Sequence, residues 1–504
     1  MDSTRKETSM STQTAQLLPE VQSFLAESPL RSFIGGEWVA ADETLATLDP
    51  ATGQPVARFC VMSAAEVDRA VAAAAQAFGP GGWGRLPANE RGVLLHRLAD
   101  TVERHLPALA QLEALDCGKL VPHATGDIQN FVATLRYFTD LAQQVPPRRV
   151  LPVAHHEAWS VRHPWGPCGF IFPWNFPFLL LGWGTAPALA AGNTVVVKPA
   201  EDTPLTSLYL GRLAQEAGIP DGVINVVAGP GETTGAALSR HPGLRRMSFT
   251  GSPEVGKQVA EAAGRNLTPV KLELGGKGAA LVFDDVDVDD ATTRLAGAIT
   301  FHSGQVCCDA TRWIIHERIY DEFVAQVRAK MMAVRIGLTF DAESQMGPVV
   351  SEKQRQRVLG YLERGVAEGA TLVLEGGACR VNGGEAGFYV RPALLAGGLD
   401  NVAAREEIFG PVAFLARFGS EEEGVTLVNR TRYGLANSVW SADLARAQRV
   451  AESMVAGNSW VNAHNVFPLG VPYGGVNLSG MGGGVNSPET LWDYYRNQSV
   501  VRPL

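Results

Sequence analysis

From about residue 166 to residue 285, short β-branched runs alternate with helix-length segments, a pattern that restricts the fold more than any other feature of the chain. Thr194-Val195-Val196-Val197-Lys198 leads to a predicted helix from about Ser207. Val223-Ile224-Asn225-Val226-Val227 precedes another near Glu232, and Met247-Ser248-Phe249-Thr250 a third near Glu254. Val270-Lys271-Leu272-Glu273 closes the series. Strands that are apolar at nearly every position have no face to give to water. Their sheet must be covered on both sides, and alternation with helices makes neighbouring strands parallel. The expectation is an α/β fold built on a Rossmann-like parallel sheet.

A second α/β pattern occupies about 278–475, with Gly278-Ala279-Ala280-Leu281-Val282-Phe283 as a strand and a helix around Tyr320 to Met332. Residues 64–80 and 92–116, rich in Ala and Leu at helical spacing, predict amphipathic helices. Ala158-Trp159-Ser160-Val161-Arg162 alternates in character and predicts a strand, and the Gly/Pro-rich stretch from Pro472 to Gly484 predicts a long loop. A chain of 504 residues is too long for one ordinary core, so two or three domains are expected. Residues 1–17, rich in Ser and Thr, predict a disordered tail rather than a transit peptide.

A net charge of −9 argues against a nucleic-acid surface. The run from Phe176 to Trp183 is too short to cross a bilayer and reads as buried helix or pocket wall, so no membrane partner is expected. Cys60, Cys117, Cys168, Cys307, Cys308 and Cys379 follow neither zinc nor secreted-framework spacing. A reducing, cytoplasmic setting without a metal site is the expectation.

The chemistry lies in three places. Gly304-Gln305-Val306-Cys307 places its cysteine 34 residues after Glu273, which stands in Leu272-Glu273-Leu274-Gly275-Gly276-Lys277; upstream is Phe172-Pro173-Trp174-Asn175-Phe176-Pro177. A thiolate attacks a carbonyl and later leaves, an amide N–H stabilises the oxyanion, and a buried carboxylate activates water. Together these are the parts needed to oxidise an aldehyde through a thioester. Each alone has a plainer reading: Asn175 as a turn-former between prolines, Glu273 as a paired structural charge. Cys308 is a rival nucleophile or an inert core thiol.

Three further motifs are weak singly. Gly229-Pro230-Gly231-Glu232-Thr233-Thr234-Gly235 is close to a dinucleotide fingerprint with its third glycine one residue late, and alone reads as a turn at a helix start. Lys198-Pro199-Ala200-Glu201 follows a strand, at the edge where open sheets bind ligands, and alone reads as a solvated loop. Glu406-Glu407-Ile408-Phe409-Gly410-Pro411 alone is a surface turn.

In this order and spacing, from about Phe33 to the C-terminus, the motifs resemble the aldehyde dehydrogenase superfamily. The resemblance implies an NAD-binding domain over 18–148 and 166–276 and an α/β catalytic domain over 277–485. A small β oligomerisation extension, 149–165 with 486–504, would pair subunits into a homodimer or homotetramer. Cys307 is implied as nucleophile, Asn175 and the Cys307 N–H as oxyanion hole, and Glu273 as the base that hydrolyses the thioester and helps deprotonate the thiol. The implied cofactor is NAD, held by Trp174, Lys198, Glu201, Gly229, Gly251, Ser252, Leu274, Glu407 and Phe409. Lys198 and Glu201 would meet the adenosine ribose, Gly229 the adenosine, Ser252 the pyrophosphate, and Glu407 with Phe409 the nicotinamide end.

A carboxylate at 201 repels a 2′-phosphate and favours NAD over NADP. A carboxylate at 273 separates the chain from CoA-acylating members. The implied aldehyde pocket is Phe176, Leu180, Trp183, Phe301, Phe467 and Tyr473, which suits an apolar or aryl aldehyde and offers no cation for a carboxylate-bearing one. The C-terminal stretch is similar to bacterial arylacetaldehyde dehydrogenases of the phenylacetaldehyde type. The rival expectations are an aliphatic, NADP-linked or CoA-acylating enzyme, or a non-catalytic binding or structural member. A scaffold has no physical need for Cys307, Glu273 and Asn175 together.

Several positions depart from the superfamily pattern. Gly184 stands where a lysine is usual, His302 and Ser303 where Asn and Gln are common, Gly278-Ala279 for Ser-Pro, and Gly483 for Arg. Asp309 replaces a small residue; facing Cys307 it raises the thiol pKa, and facing away it serves as a cap or ion-pair partner.

Overall fold

Continuous burial of the predicted strands organises the molecule. The computed structural model describes residues 16–146 and 148–504, and five parallel strands form the centre of its eight-stranded first sheet. Across the sheet they run Ile224–Val226, Thr194–Lys198, Pro167–Ile171, Arg246–Gly251 and Val270–Leu274. The chain steps outward from Pro167–Ile171 in one direction, then resumes on its other side with Arg246–Gly251. At such a reversal the helices leave on opposite faces and a crevice opens at the carboxyl ends of the two strands.

Helices Pro177–Ala191, Leu205–Ala217 and Pro253–Arg265 make the crossovers. The first is apolar on all sides and almost wholly buried, as a helix wedged between a sheet and further helices must be. Antiparallel strands finish both edges: Ser32–Ile34 and Glu37–Val39 on one side, Gly480–Met481 beside Val270–Leu274 on the other. The last pairing corrects the expected domain division. Residues 480 and 481 were expected within the catalytic domain, yet they close the edge of the first sheet, where unpaired backbone groups of Val270–Leu274 gain partners.

The second sheet runs Thr371–Leu374, Ala393–Ala396, Val412–Phe418, Ala310–His316, Gly278–Val282, Ala436–Trp440 and Asn458–Val461, all parallel except the first. A third sheet has three antiparallel strands, Arg148–Val153, His156–Pro164 and Tyr495–Pro503.

Local chemistry corrects three further expectations. The segment 92–116 is not one helix but parts of two, Ala88–Arg104 and Leu106–Cys117, parted at His105. Pro107 cannot sit inside a helix but fits the first turn of the second one. Near Glu232 the chain makes a wide turn, Gly231–Gly235, closed by Gly235 N–H to the Pro230 carbonyl at 3.2 Å, before the short helix Ala236–Arg240. Of the expected tail, residues 1–15 lie outside the described residues, while Leu17 is already buried against the first core.

Candidate active site

The crevice of the first sheet faces the loop that precedes strand Ala310–His316, and this loop carries Cys307. His302, Ser303 and Gly304 all have left-handed φ, 47°, 56° and 69°. Two of the three are not glycine, so the conformation is held by surrounding bonds. Gln305 supplies two of these, its Oε1 accepting from Val350 N–H at 2.9 Å and its Nε2 donating to the His302 carbonyl at 3.0 Å. Ser303 Oγ donates to the Gly347 carbonyl at 2.7 Å. Gly304 lies against the Gly410–Pro411 backbone and Gly276 against the Cys307 carbonyl, neither with room for a Cβ. The thiol is thus presented on a braced turn.

Cys307 is half-buried and lines the crevice. Its Sγ lies 3.4 Å from Tyr473 Oη. Hydrogen bonding by Cys308, and then by Tyr473, holds the thiol below its usual range although burial opposes it. Cys308 is a different case: it is fully buried, burial pushes its thiol well up, and its S–H donates to Asn465 Oδ1 at 3.3 Å. Of the two neighbours, only Cys307 meets the crevice as an activated thiol.

Glu273 is the penultimate residue of strand Val270–Leu274 and is buried. Burial pushes its carboxyl well above the usual range, and neither oxygen has a hydrogen-bond partner among the described residues. A cavity of about 20 Å³ is lined by Glu273, Cys307, Tyr473, Leu435 and Gly184. Such a volume has room for one water molecule. Asn175 Nδ2 donates to the Gln305 carbonyl at 2.9 Å. One amide proton therefore ties Asn175 to the nucleophile loop and the second is left to a ligand.

The main crevice holds about 1140 Å³. Lys198 Nζ pairs with Glu201 Oε2 at 3.0 Å, and Gly231 N–H points to Glu201 Oε1 at 3.5 Å. Burial, the largest influence, raises the Glu201 carboxyl, but the Lys198 charge together with hydrogen bonds from Lys198 and the backbone holds the group below its usual range, hence ionised. A Cβ on Gly229 would strike the Thr234 side chain, so this turn accepts only glycine. Ser252 caps helix Pro253–Arg265, its Oγ accepting from Val255 N–H at 3.3 Å. The N-terminus of that helix, with Gly251, Ser252 and Leu274, opens onto the crevice. Unpaired N–H groups there suit a pyrophosphate.

At the other end Glu407 Oε1 accepts from Gly276 N–H at 2.8 Å, and burial lifts its carboxyl to about 7. Phe409, at φ 65°, packs edge-on against Trp174 at 5.3 Å. The volume of the crevice and the helix terminus that opens onto it fit a dinucleotide, while Lys198, Glu201 and Gly229 lie outside the lining of the crevice.

The six expected pocket residues converge. Phe176 and Phe301 stack at 6.2 Å; Trp183, Phe467 and Tyr473 form a triangle with ring centres 5.4 to 5.8 Å apart. Leu180 lines the crevice beside them. A cation does stand behind this wall: Lys119 Nζ is 4.0 Å from the Phe176 ring centre. It is fully buried and paired with Glu113, at 3.2 Å, and Asp127, so its charge is already matched. Trp460 and Asn130 join the pocket unforeseen. Trp460 meets Phe467 edge-on at 5.8 Å, and Asn130 Oδ1 accepts from Trp183 Nε1 at 2.7 Å. Neither lies in a motif, and nothing in the sequence marks them.

The departures have steric causes. A Cβ on Gly184 would come within 2.9 Å of the Phe172 ring, which stacks with Phe170. Gly482 and Gly483 have φ of 87° and 90°, and a Cβ on Gly483 would meet Asp493 at 2.7 Å. Asp309 is buried and accepts from Asn465 Nδ2 at 3.1 Å; it is neither helix cap nor ion-pair partner. Burial pushes its carboxyl well up, and the Cys307 charge adds to this.

Residues 38–500 match the model of the aldehyde dehydrogenase family. A mitochondrial benzaldehyde dehydrogenase of Antirrhinum majus is 40% identical over 476 residues, 94% of this chain and 88% of that one. Retinal dehydrogenase 2 of Mus musculus is 40% identical over 473 residues, 93% and 90%. Among solved structures, betaine aldehyde dehydrogenase of Staphylococcus aureus in complex with NAD+ superposes with a TM-score of 0.93 at 33% identity, covering 96% of this chain and 97% of that one.

Proposed function

The chain belongs to the aldehyde dehydrogenase family, and on that premise we propose that it oxidises an apolar, arylacetaldehyde-type substrate such as phenylacetaldehyde to the carboxylic acid. It is an NAD-dependent enzyme. In this reading Cys307, its proton taken up by Glu273, adds to the aldehyde carbon. The free amide proton of Asn175 and the Cys307 N–H meet the oxyanion. Trp174, Lys198, Glu201, Gly229, Gly251, Ser252, Leu274, Glu407 and Phe409 would hold NAD, which supplies a hydride acceptor when bound. Glu273 passes that proton on to solvent, and its freed carboxylate then activates water against the thioester on Cys307; the acid leaves as the thiol is restored. The observation that carries this sequence is the small cavity shared by the activated thiol and an unpartnered, high-pKa carboxyl.

Supporting the aryl substrate are the two aromatic groups, Phe176 with Phe301 and Trp183 with Phe467 and Tyr473, and the absence of a spare charge on Lys119. A triangle of rings also suits a quaternary ammonium, so betaine aldehyde is the competing substrate. Steady-state rates on phenylacetaldehyde, hexanal and betaine aldehyde decide the matter: kcat/KM should be clearly highest for the aryl aldehyde, and a preference for either other substrate removes the proposal. The exposed edge strand Arg148–Val153, with Val150 and Val153 open to solvent, supports a homodimer or homotetramer joined there. Six free thiols support a cytoplasmic setting.

A further inference from the structure

We propose that the Tyr473 hydroxyl is itself catalytic: it donates a hydrogen bond to the Cys307 sulfur and so holds the thiolate ready for attack, beyond its place in the aromatic wall. This rests on Cys307 being the nucleophile.

The geometry is direct. Oη and Sγ are 3.4 Å apart, within reach of a hydrogen bond to sulfur. The phenol cannot drift, because Tyr473 N–H donates to the Val485 carbonyl at 3.0 Å while its ring is wedged between Trp183 and Phe467. Burial pushes the phenol pKa well up, so Tyr473 keeps its proton and can only share it.

The surroundings explain why such a donor is needed. Reactive thiolates usually stand beside Lys, Arg, a protonated His or a helix N-terminus. Here the charged groups acting on the thiol are acids from three elements: Glu273 on strand Val270–Leu274, Glu407 on the segment 406–411, and Asp309 on the thiol's own loop. Each disfavours a negative sulfur when ionised, and none supplies a positive charge. His464, which bonds the Cys308 carbonyl at 3.0 Å, is kept neutral by burial and supplies no charge. Lys271 is turned to Asp493 and the Gly484 carbonyl. Cys308 also bears on the thiol, but its one S–H is directed to Asn465 Oδ1 at 3.3 Å. Tyr473 remains as the neutral donor that stabilises the charge without pairing it off, and no proton changes hands with it when the carbon–sulfur bond forms.

The test is the pH dependence of Cys307 alkylation by iodoacetamide in the full-length enzyme, read by peptide mass mapping to separate it from Cys308 and Cys379. Tyr473→Phe keeps the ring and removes only the hydroxyl. Its alkylation midpoint should rise by about one pH unit, the loss of one hydrogen bond to a charged group. The acid limb of kcat/KM should move with it. Tyr473→Leu should give the same midpoint, so the result does not hang on one variant folding well. An unchanged midpoint in the Tyr473 variants, with only KM for the aldehyde raised, would overturn the proposal and leave Tyr473 as wall. Turnover persisting in Cys307→Ala would instead overturn the underlying reading.

Discussion

Lys271 and Glu273 stand two residues apart on strand Val270–Leu274, so their buried side chains share one face of the sheet, yet only the lysine is satisfied. Lys271 Nζ donates to the Gly484 carbonyl at 2.6 Å and pairs with Asp493 at 2.8 Å, whereas both Glu273 oxygens lack a partner. Burial raises the Glu273 pKa and the Lys271 charge only partly offsets it. An unsatisfied carboxyl is costly in a core and useful beside a thioester.

Glu273→Gln should therefore gain stability while losing turnover. A carboxyl whose folded pKa lies above its unfolded value favours the folded state below about 4.5, and that contribution is lost as pH rises toward the folded value. The unfolding midpoint of Glu273→Gln should thus exceed that of wild type by more at pH 8 than at pH 5, with kcat lowered about 10²–10⁴-fold. An equal difference at both pH values would contradict the buried-charge argument.

Cys307→Ala should abolish NADH formation with phenylacetaldehyde and NAD, by about 1,000-fold or more, without CoA present. Cys308→Ala should keep most of it, since that thiol is buried and bonded to Asn465. The opposite ranking in a simple absorbance assay would move the nucleophile.

Glu201→Gln should relax cofactor choice. The carboxylate is held ionised by Lys198, and a negative charge there repels a 2′-phosphate. The kcat/KM ratio of NADP to NAD should rise about tenfold, an energy near 1.4 kcal/mol. An unmoved ratio assigns the discrimination to other residues.

Gly184→Lys should destabilise this protein by about 1–3 kcal/mol, because its Cβ meets the Phe172 ring. Pairing it with Phe172→Ala should recover part of the loss in thermal unfolding. Full stability in the single variant would show that Phe172 moves freely.

Much of the fold was legible because it is written in neighbouring residues. Thr194–Lys198 carries Val195, Val196 and Val197 in a row and had to be a covered parallel strand; it is buried at every position. Helix 92–116 was misread because apolar periodicity continues through a proline that backbone geometry does not forgive. Gly483 looked like the loss of an arginine, and its left-handed φ makes it a requirement of the turn.

The sequence by itself determined which strands could exist, which residue types were present for thioester chemistry, and which loops carried them. Tertiary structure alone decided their relations. Asn175 reaches Gln305 across 130 residues, and Tyr473 reaches Cys307 across 166. Gly480–Met481 closes a sheet begun more than two hundred residues earlier. The physical reason is range: periodicity and backbone limits act between neighbours along the chain. Which phenol donates to which thiol, or which carboxyl is left without a partner, is fixed only when distant segments pack into one core.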